Sequence, residues 1–178
     1  AIPIITTILD WPGCELRLLS FASMESGEGR MDNLIATFHP KGEGGGEIVP
    51  EITIQSSDAL ALINRDDRGL VSLGSDGRLF CAFSEPAEME GGDGTWRFAL
   101  KSREIRRDGV SIIRVRLPQA GRKFDTINDL MEEDERLISG TRKFWAAWTP
   151  ASGNTGWTLP GTMSNFFTAS ARNIDQSR

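Results

Sequence analysis

Thr95-Trp96-Arg97-Phe98-Ala99-Leu100-Lys101 and, a short distance on, Ile113-Arg114-Val115-Arg116-Leu117 decide the fold. In the first stretch Trp96, Phe98 and Leu100 alternate with Thr95, Arg97, Ala99 and Lys101; in the second, Ile113, Val115 and Leu117 alternate with Arg114 and Arg116. An extended chain throws successive side chains to opposite faces, so each stretch reads as a half-buried strand with its apolar set inward. Between them Asp108-Gly109 is a turn signal, because glycine accepts the positive φ of tight hairpins, and it predicts that the two strands pair directly. Leu70–Leu73 and Arg78–Phe83, joined by Gly74-Ser75-Asp76-Gly77, predict a second hairpin.

Outward from these, shorter strand-like runs lie at Ile2–Leu9, Cys14–Phe21, Leu34–Phe38, Glu47–Gln55 and Lys143–Thr149. Runs of this length, broken by Gly, Pro and Asp, predict a mainly β chain built as an antiparallel β-sandwich. One segment departs from the pattern. Ile127, Leu130, Met131, Leu137 and Ile138 recur at helical spacing, which predicts one main helix near 126–138, capped by Asp125 or Thr126 and ended by Gly140. A second, short helix is expected at Ser57–Ile63. The glycine-rich stretches Lys41–Glu47 and Glu88–Gly94 read as exposed connections. With 178 residues, the chain suits a single domain, expected over 1–168, followed by a small, polar arm at 169–178.

Charge is segregated along the chain. The formal net charge is −5, which excludes a polybasic nucleic-acid binder as a whole. Residues 1–96 carry a net −10 and residues 97–123 a net +7. Lys101, Arg103, Arg106, Arg107, Arg114 and Arg116, with Arg122 and Lys123 beyond them, form a basic ribbon. On a hairpin its alternate members share a face, so the ribbon is a candidate contact for a polyanion such as RNA, a candidate surface for a partner subunit, or a plain solvated strand face.

Few residues can carry catalysis. His39 is the single imidazole and sits at a strand end before Pro40, with no GxSxG elbow to partner it. Cys14 and Cys81 lie in apolar runs without CxxC spacing, which reads as core thiols with pairing left open. A zinc site would have to draw on Cys14, His39 and Cys81, so no metal is expected; Glu88, Glu90 and Asp93, or Asp66 and Asp67, lack the EF-hand spacing of a calcium loop. Glu132, Glu133, Asp134 and Glu135 read as a solvated helix face rather than a glycosidase carboxylate pair. No cofactor motif and no apolar run long enough to span a membrane occurs. Trp145, Trp148, Trp157, Phe166 and Phe167 read as core and interface anchors, Trp157, Phe166 and Phe167 being the candidate interface aromatics.

Taken together, the start at Ala1 without an initiator Met, the succession of strands with long loops, the late run Arg142-Lys143-Phe144-Trp145-Ala146-Ala147-Trp148-Thr149-Pro150, and the Gly/Asn/Trp-rich C-terminal loop with its polar arm resemble a capsid subunit of small icosahedral, picorna-like viruses, of the plant secovirus type. The resemblance implies a jelly-roll form of the sandwich, release from a polyprotein, and assembly with sister subunits, as a homo- or hetero-oligomer, into a virion shell around single-stranded RNA. It implies no catalytic residue. The alternative class is a secreted or cell-surface carbohydrate-binding β-sandwich in which Trp157 and its neighbours stack on sugar rings. A carboxylate hydrolase on a β scaffold is a third.

Overall fold

The structure, a computed structural model, describes residues 4–25, 29–41, 46–74, 77–105, 109–118 and 133–147. Among the described residues twelve strands and one helix follow in chain order: β1 Ile4–Trp11, β2 Cys14–Glu25, β3 Gly29–Pro40, β4 Gly46–Ile48, β5 Glu51–Gln55, β6 Leu60–Arg65, β7 Arg68–Leu73, β8 Arg78–Phe83, β9 Ala87–Gly92, β10 Thr95–Leu100, β11 Arg103–Ile105, β12 Ser111–Pro118 and α1 Asp134–Ala147. A seven-stranded sheet runs β1-β2-β3-β12-β8-β7-β6; over one of its faces lie a three-stranded sheet, β5-β10-β9, and a two-stranded one, β11-β4. Every strand pairing is antiparallel. The expected antiparallel sandwich is therefore present. Its large sheet is two meanders, β1-β2-β3 and β6-β7-β8, joined by β12, and this order does not establish the jelly-roll form.

The deciding stretches face inward as read, but they are not each other's hairpin partners. β10 pairs with β5 and β9, whereas β12 pairs with β3 and β8. Phe98 and Leu100 therefore meet Ile113 and Val115 across the sandwich, in one buried cluster with Val71, Cys81 and Phe83. The Phe83 and Phe98 rings, one from each layer, lie 5.3 Å apart at 54°, a tilted contact that adds to the gain from burying both. Asp108 lies outside the described residues, and the short strand β11 intervenes before it. The second predicted hairpin is present, with Leu70 opposite Ala82 and Leu73 opposite Arg78.

Four expectations are corrected. Leu60–Arg65 is a strand, not part of a short helix at Ser57–Ile63; Leu60 and Leu62 face the core at period two. Asp66 and Asp67, with φ of 51° and 59°, make the two-residue turn that joins β6 to β7. Glu88–Gly92 is not a loop but most of β9, turned into β10 by Asp93-Gly94. The main helix runs Asp134–Ala147, beyond the expected end at 138 and through Gly140, so Lys143–Ala147 is helix rather than strand. Leu137, Thr141 and Trp145 are its buried residues, a stripe at spacing four that packs on the sheet face opposite the small sheets. Residues 126–132 and 148–150 lie outside the described set, as does the polar arm.

Candidate functional site

Two faces of the seven-stranded sheet are finished differently. On one, α1 covers Phe21, Met31, Ile35, Leu70, Leu79 and Ala82 through Leu137. Arg114 and Arg116, which lie on this face because they alternate with Ile113 and Val115, both reach Asp134 in the first turn of α1: Arg114 Nε donates to Oδ2 at 2.7 Å and Arg116 Nη2 to Oδ1 at 2.6 Å. A carboxylate at a helix N-terminus also meets the positive end of the helix dipole. Arg116 is 0% exposed, and burial lowers its pKa while Asp134 opposes that shift. Asp134 is thus no part of a solvated helix face; it clamps the helix to β12. Thr141 Oγ1 adds a bond to the Ala22 carbonyl at 3.4 Å.

The basic ribbon is accordingly divided by the fold. Arg103 pairs with Glu85 through Nη2, and its Nη1 donates to Ser111 Oγ at 2.6 Å and to the Ile112 carbonyl at 3.2 Å. Lys101 is exposed. Of the residues proposed for subunit or polyanion contact, Arg103, Arg114 and Arg116 tie strands and helix together within the chain, while Arg106 and Arg107 lie outside the described residues. So do the candidate interface aromatics Trp157, Phe166 and Phe167.

On the other face the small sheets cover the middle and the β6 side of the large sheet and leave the β1 side open. The β1–β2 register places Ile5, Thr7, Leu9 and Trp11 on this face, opposite Ser20, Leu18, Leu16 and Cys14. Ile5 is 63% exposed, Leu9 39% and Trp11 50%; Ile8, on the helix side, is 55% exposed. From Trp11 the open face continues into a cavity of about 520 Å³ under β4 and β5, lined by Leu16, Leu18, Leu34, Phe38, Val49 and Ile52 among others. β1 is also the outermost strand of its sheet, so among the described residues one rank of its backbone amides and carbonyls has no strand beside it.

This groove is chemically quiet. Its carboxylate, Glu51, stands exposed at the rim, 3.8 Å from Arg97. Burial raises the Cys14 thiol above its ordinary pKa, which keeps it protonated and a poor nucleophile. His39 cannot serve it: His39 is paired with Glu15, one position from Cys14, and so lies on the other face of the sheet. Cys14 and Cys81 are both buried and free. Among the described residues no group of three His, Cys, Asp or Glu is placed to hold a metal, and no helix is long and apolar enough to cross a membrane. Asp66, Asp67 and Asp93, weighed above as calcium oxygens, are turn residues with positive φ.

The groove was missed in the sequence, although one signal for it was present. Ile4-Ile5-Thr6-Thr7-Ile8-Leu9 is apolar on both faces where a half-buried strand would alternate.

No protein-family model matches the chain, and no curated sequence matches it. Among solved structures the chain is similar to a protein described as a kojibiose phosphorylase from the human microbiome, at 8% identity and a TM-score of 0.47. The similarity covers 78% of this chain but 22% of that one, so the chain spans less than a quarter of its length.

Proposed function

We propose that the chain is a non-enzymatic structural subunit that works by associating through the apolar groove and the β1 edge. The observation that carries the reading is the concentration of exposed apolar side chains, Ile5, Leu9 and Trp11, beside the open cavity and on an unprotected edge strand. A contiguous apolar surface of this kind marks an interaction site far more often than scattered exposed residues do. The virion shell is the form of association that the capsid resemblance implies. One of the features on which that resemblance rests, the late strand from Arg142, is helix as far as Ala147. RNA contact through the ribbon would draw on Lys101 among the described residues, since Arg103, Arg114 and Arg116 are engaged within the fold, with Arg106, Arg107, Arg122 and Lys123 lying outside the described set.

The test is sedimentation across protein concentration and ionic strength. Expected is a mass that rises with concentration and survives high salt, because an apolar contact is not screened. A chain that stays monomeric at high concentration, with sister subunits supplied, overturns the proposal.

The carbohydrate-binding alternative draws support from one place other than Trp157. A depression of about 430 Å³ is lined by Ser56, Ser57, Asp58, Asp93 and Trp96, an indole ring with hydroxyls and carboxylates of the kind that sugars engage. The Trp96 indole nitrogen is buried and has no partner among the described residues. Glycan-array binding lost in Trp96→Ala would favour this reading over association.

A further inference from the structure

We infer that the occupant of the β1 edge is β1 of a second copy, paired antiparallel about a two-fold axis that passes through Ile8. The inference rests on the association reading and names its partner and register.

The argument starts from which backbone groups point outward. Trp11 and Cys14 flank the two-residue turn Pro12-Gly13 and are opposite one another, and such a turn closes on a hydrogen-bonded pair. Alternation then turns the amides and carbonyls of Trp11, Leu9, Thr7 and Ile5 toward β2 and those of Ile4, Thr6, Ile8 and Asp10 toward the open edge. A second β1 can use these outward groups only if like faces of the two sheets lie on the same side, so paired residue numbers must sum to an even value. Two central registers satisfy this, one with Thr7 on the axis and one with Ile8.

The side chains choose between them. With Ile8 on the axis, Ile5 faces Trp11 of the second copy and Thr7 faces Leu9 on the groove side, while Ile8 meets its own copy and Thr6 meets Asp10 on the helix side. Each exposed apolar residue of β1 then has an apolar or threonine neighbour, the kind of cross-strand pair that stabilises a sheet. With Thr7 on the axis, Trp11 falls beyond the paired residues of the described strand, and Ile8 faces Thr6 instead of a second isoleucine. Charge also favours this edge for self-contact. Two copies at −5 each repel, but the charged side chain of β1, Asp10, is paired with Lys41 Nζ at 2.5 Å and has no like charge opposite. The strand carries none of the lysines, prolines or bulges that guard edge strands from one another. The symmetric product is a closed two-fold dimer with a continuous sheet and the two open grooves side by side.

The test uses the full chain. Ile8→Lys places two like charges on the axis and is expected to weaken the dimer at least about tenfold in sedimentation; Ile8 is largely exposed, so its thermal unfolding should be unchanged at monomer concentrations. Ile8→Cys should form a covalent dimer with oxidised glutathione, because cysteines facing each other at a hydrogen-bonded pair sit about 5.5 Å apart at Cα, within disulfide reach. Thr7→Cys should not. Cross-linking of Thr7→Cys in place of Ile8→Cys overturns the register. Self-association that neither substitution touches overturns the β1 contact while leaving the association reading standing, whereas a wild-type chain that never associates removes both.

Discussion

The two ends of the sandwich are built from similar strands and closed to different degrees. At the β6 end, the edge of the large sheet is stitched to the edge of the small one: Asn64 Nδ2 donates to the Ala87 carbonyl at 2.9 Å, and its Oδ1 accepts from the Ala87 amide at 3.0 Å. One side-chain amide thereby satisfies both backbone groups of β9's first residue, and Leu60, Ala87 and Phe98 are buried behind it. At the β1 end no such bond spans the layers among the described residues, and Ile5, Leu9 and Trp11 remain open. Where the fold is finished, polar groups face polar groups and the apolar surface is covered. Where it is not, the surface left over is apolar and, among the described residues, the backbone edge has no strand beside it.

The largest expected effect tests the finished side. Asp134→Ala removes the carboxylate that Arg114 and Arg116 share, beside a guanidinium that is fully buried. Breaking a buried pair by removing one partner costs about 3–5 kcal/mol, read as a shift of the urea midpoint. Replacing Arg116 by Met in the same chain should recover part of the loss, because much of the penalty comes from a buried charge that has lost its Asp134 carboxylate rather than from missing volume.

Next in size is Asn64→Ala. It leaves the Ala87 amide and carbonyl without their side-chain partner, and unsatisfied buried groups cost about 1–3 kcal/mol. Hydrogen exchange should quicken along β6 and β9 in this variant and leave β1–β3 unchanged. Equal quickening at both ends would show that the ends are not separately closed.

Alkaline pH probes the same closed interior. Burial pushes the Cys81 thiol from 9.0 up to about 12, so as pH rises the unfolded chain loses this proton before the folded one does. Stability from this group is intact below pH about 9 and falls by up to about 1.4 kcal/mol per pH unit until about 12. Cys81→Ala should flatten that part of the pH profile relative to the parent. An unchanged slope would mean that the thiol is open to solvent in the native chain.

Much of the fold was legible because alternation reports which face of a strand is buried. Phe98, Leu100, Ile113 and Val115 all point where period two puts them. Alternation does not report the neighbour, which is why Asp108-Gly109 suggested a pairing that the chain does not make: β12 finds β3, far back in sequence, over the eight residue pairs from Ser111–Phe38 to Pro118–Met31. Phe144 and Trp145 suggested a strand through aromatic propensity, yet the four-residue spacing of Leu137, Thr141 and Trp145 was there to be read as a helix stripe. The arginine ribbon was visible as composition, but its division was not, because the Asp134 that engages two of its members is distant in sequence and close only in the fold. The groove was least legible of all. The exposure of Ile5 and Leu9 depends on how far the small sheets extend over the large one, a relation between sheets that the two-faced apolar run Ile4–Leu9 signals without locating.

The smallest expected effect is the sharpest test of the open end. Ile5→Thr and Leu9→Thr each delete apolar surface from β1, and in a covered core a large-to-small change of this kind costs roughly 2–5 kcal/mol. Here Ile5 is 63% exposed and Leu9 39%, so most of the transfer that would stabilise Ile5, and a good part of that for Leu9, has not occurred in the single chain. Threonine also keeps the branched shape that strands favour. Unfolding at concentrations where the chain is monomeric should therefore lie within about 0.5 kcal/mol of the parent for Ile5→Thr and within about 1 kcal/mol for Leu9→Thr. At high concentration the variants should separate from the parent, because the stability that association adds by mass action is lost with the contact. A cost of several kcal/mol at low concentration would place Ile5 and Leu9 in a covered core, and the contrast between the two ends of the sandwich would fail.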